Sequence, residues 1–183
     1  MTKKILIGVG AVLVAAVGYF VYLGMFPKSP PTMAEISDRG LEIKVTYGQP
    51  SKRGRVIFGE EAAGALQPHG EYWRFGANKA TEITFSKNIN FAGQPVNAGS
   101  YRMYAVPGAE AFKIVLNSEL GANFTALGDA NHDMDVLSVD VPVQMAPSEV
   151  EKFTISFRSD SVGTIMDCAW DRALISIPIT IQP

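Results

Sequence analysis

Two kinds of apolar pattern divide the chain. From Ile5 to Phe26 (ILIGVGAVLVAAVGYFVYLGMF), 22 residues run without a charge. As a helix at about 1.5 Å per residue, such a run spans about 33 Å, enough to cross a hydrocarbon core of about 30 Å. Lys3 and Lys4 precede it, and Tyr19, Phe20, Tyr22 and Phe26 crowd its far end, where aromatic rings favour the membrane interface. The rival, a cleaved signal peptide, has an apolar region of about 7–15 residues before a small-x-small cut site. Here the run is longer and its end is bulky. Residues 1–26 are therefore expected to be an uncleaved, single-pass transmembrane anchor. The positive-inside bias leaves the N-terminus in the cytoplasm and everything after Pro27 outside it.

Residues 27–33, ending in KSPPTM, read as a short proline-bearing tether, too short to let the downstream chain wander from the membrane surface. Beyond it the period changes to two. Leu41, Ile43, Val45 and Tyr47 alternate with Glu42, Lys44 and Thr46. Alternation recurs at Ile83/Phe85, Tyr101/Met103/Ala105, Phe112/Ile114/Leu116, Leu137/Val139/Val141/Val143, Phe153/Ile155/Phe157 and Ile175/Ile177/Ile179. Short alternating segments between Gly, Pro, Asn and Asp clusters predict antiparallel strands with one buried face. Only Glu60–Leu66 (EEAAGAL) looks briefly helical. Residues 34–183 are thus expected to form one all-β domain, a β-sandwich or jelly-roll-like barrel of about nine or ten strands.

Composition changes this picture in two ways. The mean hydropathy of +0.11 and net charge of −2 are averages over unlike parts. Without Lys3 and Lys4 the remainder holds 14 Lys and Arg against 18 Asp and Glu, a net −4, which predicts no nucleic-acid footprint. The lone Cys168, in the apolar stretch TIMDCAW, reads as a core thiol and cannot form an internal disulfide. Asn123-Phe124-Thr125 is a glycosylation pattern only in a glycosylating secretory pathway.

The segment Tyr47–Phe85 is the most distinctive. YGQPSKRGRVIFG and PHGEYWRFGANKATEITF, with Ala98-Gly99-Ser100-Tyr101, Val106-Pro107-Gly108, Leu116-Asn117, Phe153–Phe157, Trp170 and Ile177-Pro178-Ile179, give the pattern. It resembles a family of bacterial envelope proteins catalogued as a domain of unknown function (number 2911), from about Met33 to the C-terminus. EEAAGAL lengthens the loop before Pro68 relative to that family, and His69 stands where an aromatic residue is commoner. The resemblance implies an exported β domain and carries no known reaction; together with the basic start of the anchor, it leads us to expect the bacterial inner membrane, with the domain in the periplasm or outside.

Candidate chemistry centres on the same segment. Arg55 and Arg74 are planar donors able to grip a carboxylate bidentately, and Tyr47, Tyr72 and Trp73 offer flat faces for a sugar or aromatic ring. Tyr47, Arg55, Trp73, Arg74 and Asn78 are the candidate ligand- or partner-binding residues. The structural alternative pairs Arg74 with Glu71 or Glu82 and uses Asn78 as a turn cap. Asp129, Asn131, Asp133 and Asp135, with Asp140, imitate the spacing of a calcium loop. Met134 stands where such a loop needs Gly, which favours a solvated acidic turn. The Ser51–Arg55 loop (SKRGR) is basic and reads as an exposed turn or a contact for lipid phosphates. His69 and His132 lack metal-binding spacing, and no G-x-S-x-G elbow occurs. No metal, cofactor or catalytic constellation is expected.

Three functions fit these features. The first is a non-catalytic accessory or interaction subunit of a larger membrane complex, held in the bilayer through Ile5 to Phe26 and docking by helix and domain together. The second is a binding module for a sugar or small anion at the WRFGAN loop. The third is a hydrolase using loop carboxylates such as Glu60/Glu61 and Asp133/Asp135.

Overall fold

A computed structural model describes residues 8–10, 12–19, 29–121 and 129–183. Of the expected anchor, residues 8–10 and 12–19 are helical and exposed, and the rest of Ile5–Phe26 lies outside the described residues. Among the described residues, no helix is long and apolar enough to cross a membrane. The Asn123-Phe124-Thr125 pattern also lies outside them.

The remainder is predominantly β. Strands β1 (Pro31–Asp38), β2 (Leu41–Gly48), β3 (Phe58–Gly59), β4 (Gln67–Pro68), β5 (Thr81–Phe85), β6 (Ile89–Phe91) and β7 (Gln94–Val96) come first. They are followed by β8 (Gly99–Val106), β9 (Ala111–Asn117), β10 (Asp135–Ser159) and β11 (Thr164–Ile181). Nine form one antiparallel sheet in the order β1-β2-β5-β8-β9-β10-β11-β6-β7, and β3 pairs with β4 in parallel. The EEAAGAL stretch is a single 3-10 turn at Glu61–Ala63, ended by Gly64 in the left-handed region at φ 71°.

The alternating segments at 137–143 and 153–157 join into one 25-residue strand, β10. Its first part pairs with β9 up to Pro142, and its second pairs with β11 from Val143 onward. Register shifts between Met145 and Val150, and again before Thr154, bend it, as bulges do. The two halves of the sheet therefore face each other in a sandwich-like arrangement. Tyr47 of β2 meets Phe153 of β10 edge to face at 5.5 Å, and Phe85 of β5 meets Phe91 of β6 at 6.1 Å. β1 begins at Pro31, inside the segment expected to be tether. Proline is tolerated there because it opens an edge strand.

The period-two positions fill the core. Leu41, Ile43 and Val45 of β2, Ile83 and Phe85 of β5, and Ile175, Ile177 and Ile179 of β11 are all buried. At the end of the sandwich under residues 50–78, Phe58, Trp73, Phe75, Phe112, Phe153 and Trp170 form a ring cluster, with the two indoles stacked at 5.9 Å and 27°. Each such ring removes about 150–250 Å² from water, and a well-oriented pair adds about 1 kcal/mol. Cys168 is a buried core thiol, and burial pushes its pKa up.

Candidate functional site

The loops from Pro50 to Asn78 are fastened over that aromatic end. Ser51 bridges Lys152, Lys52 N–H donates to Glu151 O at 2.7 Å, and Trp73 exchanges both backbone hydrogen bonds with Ala105 of β8 at 2.8 Å. Lys52 is clamped by Asp171 at 2.6 Å and Glu149 at 3.0 Å. Its hydrogen bonds to Asp171 and then Glu149 raise its pKa. The turn after Trp73 lies hard against the end of β2. A Cβ on Gly48 would stand 1.9 Å from Ala77 O, so only glycine fits. Phe75 and Asn78 take left-handed φ values of 55° and 66°. Thr81 Oγ1 donates to Phe75 O at 2.7 Å to hold the first of these, and Asn is among the residues that adopt this region most readily.

Between these loops opens a cleft of about 370 Å³, lined by Ser29, Pro50, Arg55, Leu66, Gln67, Tyr72, Trp73, Arg74, Gly76, Ala77, Asn78 and Trp170. Four of the five candidate residues, Arg55, Trp73, Arg74 and Asn78, line it together. Tyr47 does not. It is 4% exposed, and its hydroxyl accepts the Ile155 N–H at 3.1 Å, so it braces the two halves of the sandwich. Burial raises its pKa. Trp73 is only 3% exposed, with its indole N–H donating to Gly76 O at 3.3 Å. Both rings are spent on the core, which corrects the expectation that they stack on a ligand. Tyr72, half-buried, is the remaining aromatic ring of that expectation at the cleft.

The guanidiniums are placed by carbonyls rather than by acids. Arg55 donates from Nε to Lys52 O at 3.0 Å and from Nη2 to Ser51 O at 2.6 Å. Arg74 donates from Nη1 to Asn78 O at 2.8 Å. The expected pairing of Arg74 with Glu71 or Glu82 is not formed; Glu82 instead accepts the Gly121 N–H at 3.0 Å. Among the described residues neither arginine is in an ion pair, and no Asp or Glu lines the cleft. Asn78 donates its side-chain amide to Ser29 O at 2.9 Å, so its cap fastens the chain entering β1 rather than its own turn.

A second polar cluster lies on the outer face of the sheet, where no sequence motif marks it. Arg102 of β8, 2% exposed, donates to Glu119 Oε2 at 2.8 Å and to the Tyr72 hydroxyl at 2.7 Å. Tyr104 gives its only proton to Asp135 Oδ2 at 2.7 Å, so His132 Nδ1, at 2.9 Å, is the donor to the Tyr104 oxygen. Asn117 Nδ2 donates to Asp135 Oδ1 at 2.8 Å. Burial first, then the Asp135 contact, raises the Tyr104 pKa. The cluster takes Asp135 out of the calcium-like loop. Asn131 accepts the Asp133 N–H at 3.1 Å to cap a 3-10 turn at His132–Met134, and Asp140 sits within β10 opposite Lys113. Among the described residues, no group of three His, Cys, Asp or Glu side chains is placed to hold a metal ion. Glu60, the first residue of the lengthened loop, meets His69 Nδ1 at 3.2 Å. The missed signal is the alternation Tyr101-Arg102-Met103-Tyr104-Ala105, whose polar face is buried as well.

The family model described as "Protein of unknown function (DUF2911)" matches residues 29–179. The chain belongs to that family. The match runs from Ser29 on the cleft wall to Ile179 of β11, and so contains every cleft residue of this DUF2911 domain. No curated protein and no solved structure matches the chain.

Proposed function

We propose that this DUF2911 protein is a non-catalytic binding module, held at the bacterial inner membrane by its N-terminal apolar segment, whose cleft takes up a small anion. The observation that carries this reading is two guanidiniums in one acid-free cleft on a domain of net charge −4. Two guanidiniums lining one cleft that no carboxylate lines concentrate positive charge there, which favours an anionic guest. Arginine's planar fork suits carboxylate or phosphate. The burial of Tyr47 and Trp73 weighs against a neutral sugar, which needs open ring faces. The test is a thermal-shift series on the full chain in neutral detergent with phosphate, a dicarboxylate and a neutral hexose. The reading requires saturable, salt-sensitive stabilisation by an anion and none by the hexose; stabilisation by the hexose alone would overturn it.

The role of accessory subunit in a larger membrane complex is compatible with this site. Its support is the short path from the apolar segment into β1, where Ser29 O is tied to Asn78. Extraction in mild detergent followed by identification of co-purifying chains tests it, and a clean monomer in every detergent would count against it. The hydrolase reading draws little support from its carboxylates, since Asp135 is engaged by Tyr104 and Asn117 while Glu60 is turned to His69.

A further inference from the structure

Resting on the anion reading, we infer that the anion is the phosphodiester of an anionic membrane lipid. The cleft would clamp the domain onto the same bilayer that its own N-terminal segment enters. The position of the cleft favours a lipid. Ser29 is part of the cleft wall and is held there by Asn78, while Gln49 N–H donates to Pro30 O at 2.9 Å and Pro31 pairs with Gly48. The entry of the chain into the domain is therefore fixed at the cleft. Only three residue steps separate Ser29 from Phe26, the end of the apolar segment. Fully extended they span at most about 11 Å. A headgroup layer is about 5–8 Å deep on each side of the hydrocarbon core. With the segment in the membrane, the cleft stands at or just above the lipid phosphates, which it meets at high effective concentration.

The chemistry of the cleft favours the same guest. Arg55 and Arg74 supply the donors for a phosphate. Leu66 lines the same cleft and Val56 lies beside it, the Leu66 N–H donating to Val56 O at 3.0 Å, and these two side chains are 37% and 49% exposed. A charged pair with an apolar lip suits a molecule that is ionic at one end and hydrocarbon at the other. A freely diffusing phosphate has no use for the lip.

The experiment places the full chain in nanodiscs of phosphatidylcholine alone, or of phosphatidylcholine with phosphatidylglycerol, and follows amide hydrogen exchange of residues 74–78. Exchange should slow in the anionic discs by the factor 1 + [L]/Kd, about tenfold at ten times Kd. The Arg55→Gln/Arg74→Gln variant should lose that difference, while Arg74→Lys keeps part of it. Unchanged exchange at residues 101–105 reports that each variant is folded; if the double variant is not, Arg55→Gln alone carries the comparison. Glycerol phosphate added to the neutral discs forms the second arm. Protection by glycerol phosphate without protection by phosphatidylglycerol overturns the lipid inference and leaves the anion reading standing. Protection by neither overturns both.

Discussion

Arg102 and the pair Arg55/Arg74 put the same side chain beside aromatic rings in opposite circumstances. Arg102 is sealed beneath Glu119 and the Tyr72 hydroxyl, its charge met by a carboxylate at 2.8 Å. Arg55 and Arg74 hold only backbone carbonyls and face an open cleft. A buried guanidinium without a partner costs several kcal/mol, so Arg102 requires Glu119 for the fold to stand. A half-open guanidinium remains hydrated and needs no acid, so its charge stays available. Tyr72 belongs to both settings, since its hydroxyl completes the Arg102 cluster and its ring borders the cleft.

The largest effects are expected at the buried arginine and at the turn that carries the cleft. Arg102→Leu removes the donor to the Tyr72 hydroxyl and the ion pair of Glu119, which keeps the Asn131 N–H, and should lower unfolding free energy by about 2 kcal/mol in urea titrations. A loss no larger than that for a surface residue would contradict the contrast. Gly48→Ala forces a methyl into Ala77 O and should cost about 2–3 kcal/mol. It should also abolish anion binding by shifting the 76–78 turn, so binding and melting should be measured together.

Smaller effects are expected at Tyr104 and Arg55. Tyr104→Phe should cost about 1 kcal/mol at neutral pH by removing one hydroxyl shared by Asp135 and His132. Its pH dependence follows from the raised pKa of Tyr104. Above pH about 10 the unfolded tyrosine loses its proton while the folded one keeps it, so stability is full below that pH and falls as pH rises. Tyr104→Phe should flatten part of that alkaline decline in melting temperature. Arg55→Gln should change stability by no more than about 0.5 kcal/mol while weakening anion binding, the reverse of Arg102→Leu.

How much of the molecule was legible in the sequence depends on range. Period-two alternation located β2, β5, β8, β9 and β11, because a half-buried strand writes its exposure into adjacent residues. It did not join residues 137–143 to 153–157, since the bulges that make β10 continuous are set by its pairing with β11. Gathering Arg55, Trp73, Arg74 and Asn78 at one site was legible, because they lie in neighbouring loops over one end of the sandwich. The role of Tyr47 was not: its partner, Ile155, lies in the opposite half of the sandwich. Alternation alone puts Arg102, between Tyr101 and Met103, on the outward face of its strand. Only the chain crossing above it, with Glu119 and Asn131, shows that the face is covered.

For the proposed anion site of Arg55 and Arg74, the protein carries its own reporter. Its two tryptophans, Trp73 and Trp170, both line that cleft. Indole fluorescence of the full chain in neutral detergent, titrated with inorganic phosphate, should change saturably and weaken with added salt. In Arg55→Gln/Arg74→Gln the affinity should fall at least about tenfold, the loss of one charge-assisted hydrogen bond or more. A response that is linear in phosphate, or the same in wild type and variant, would contradict the claim.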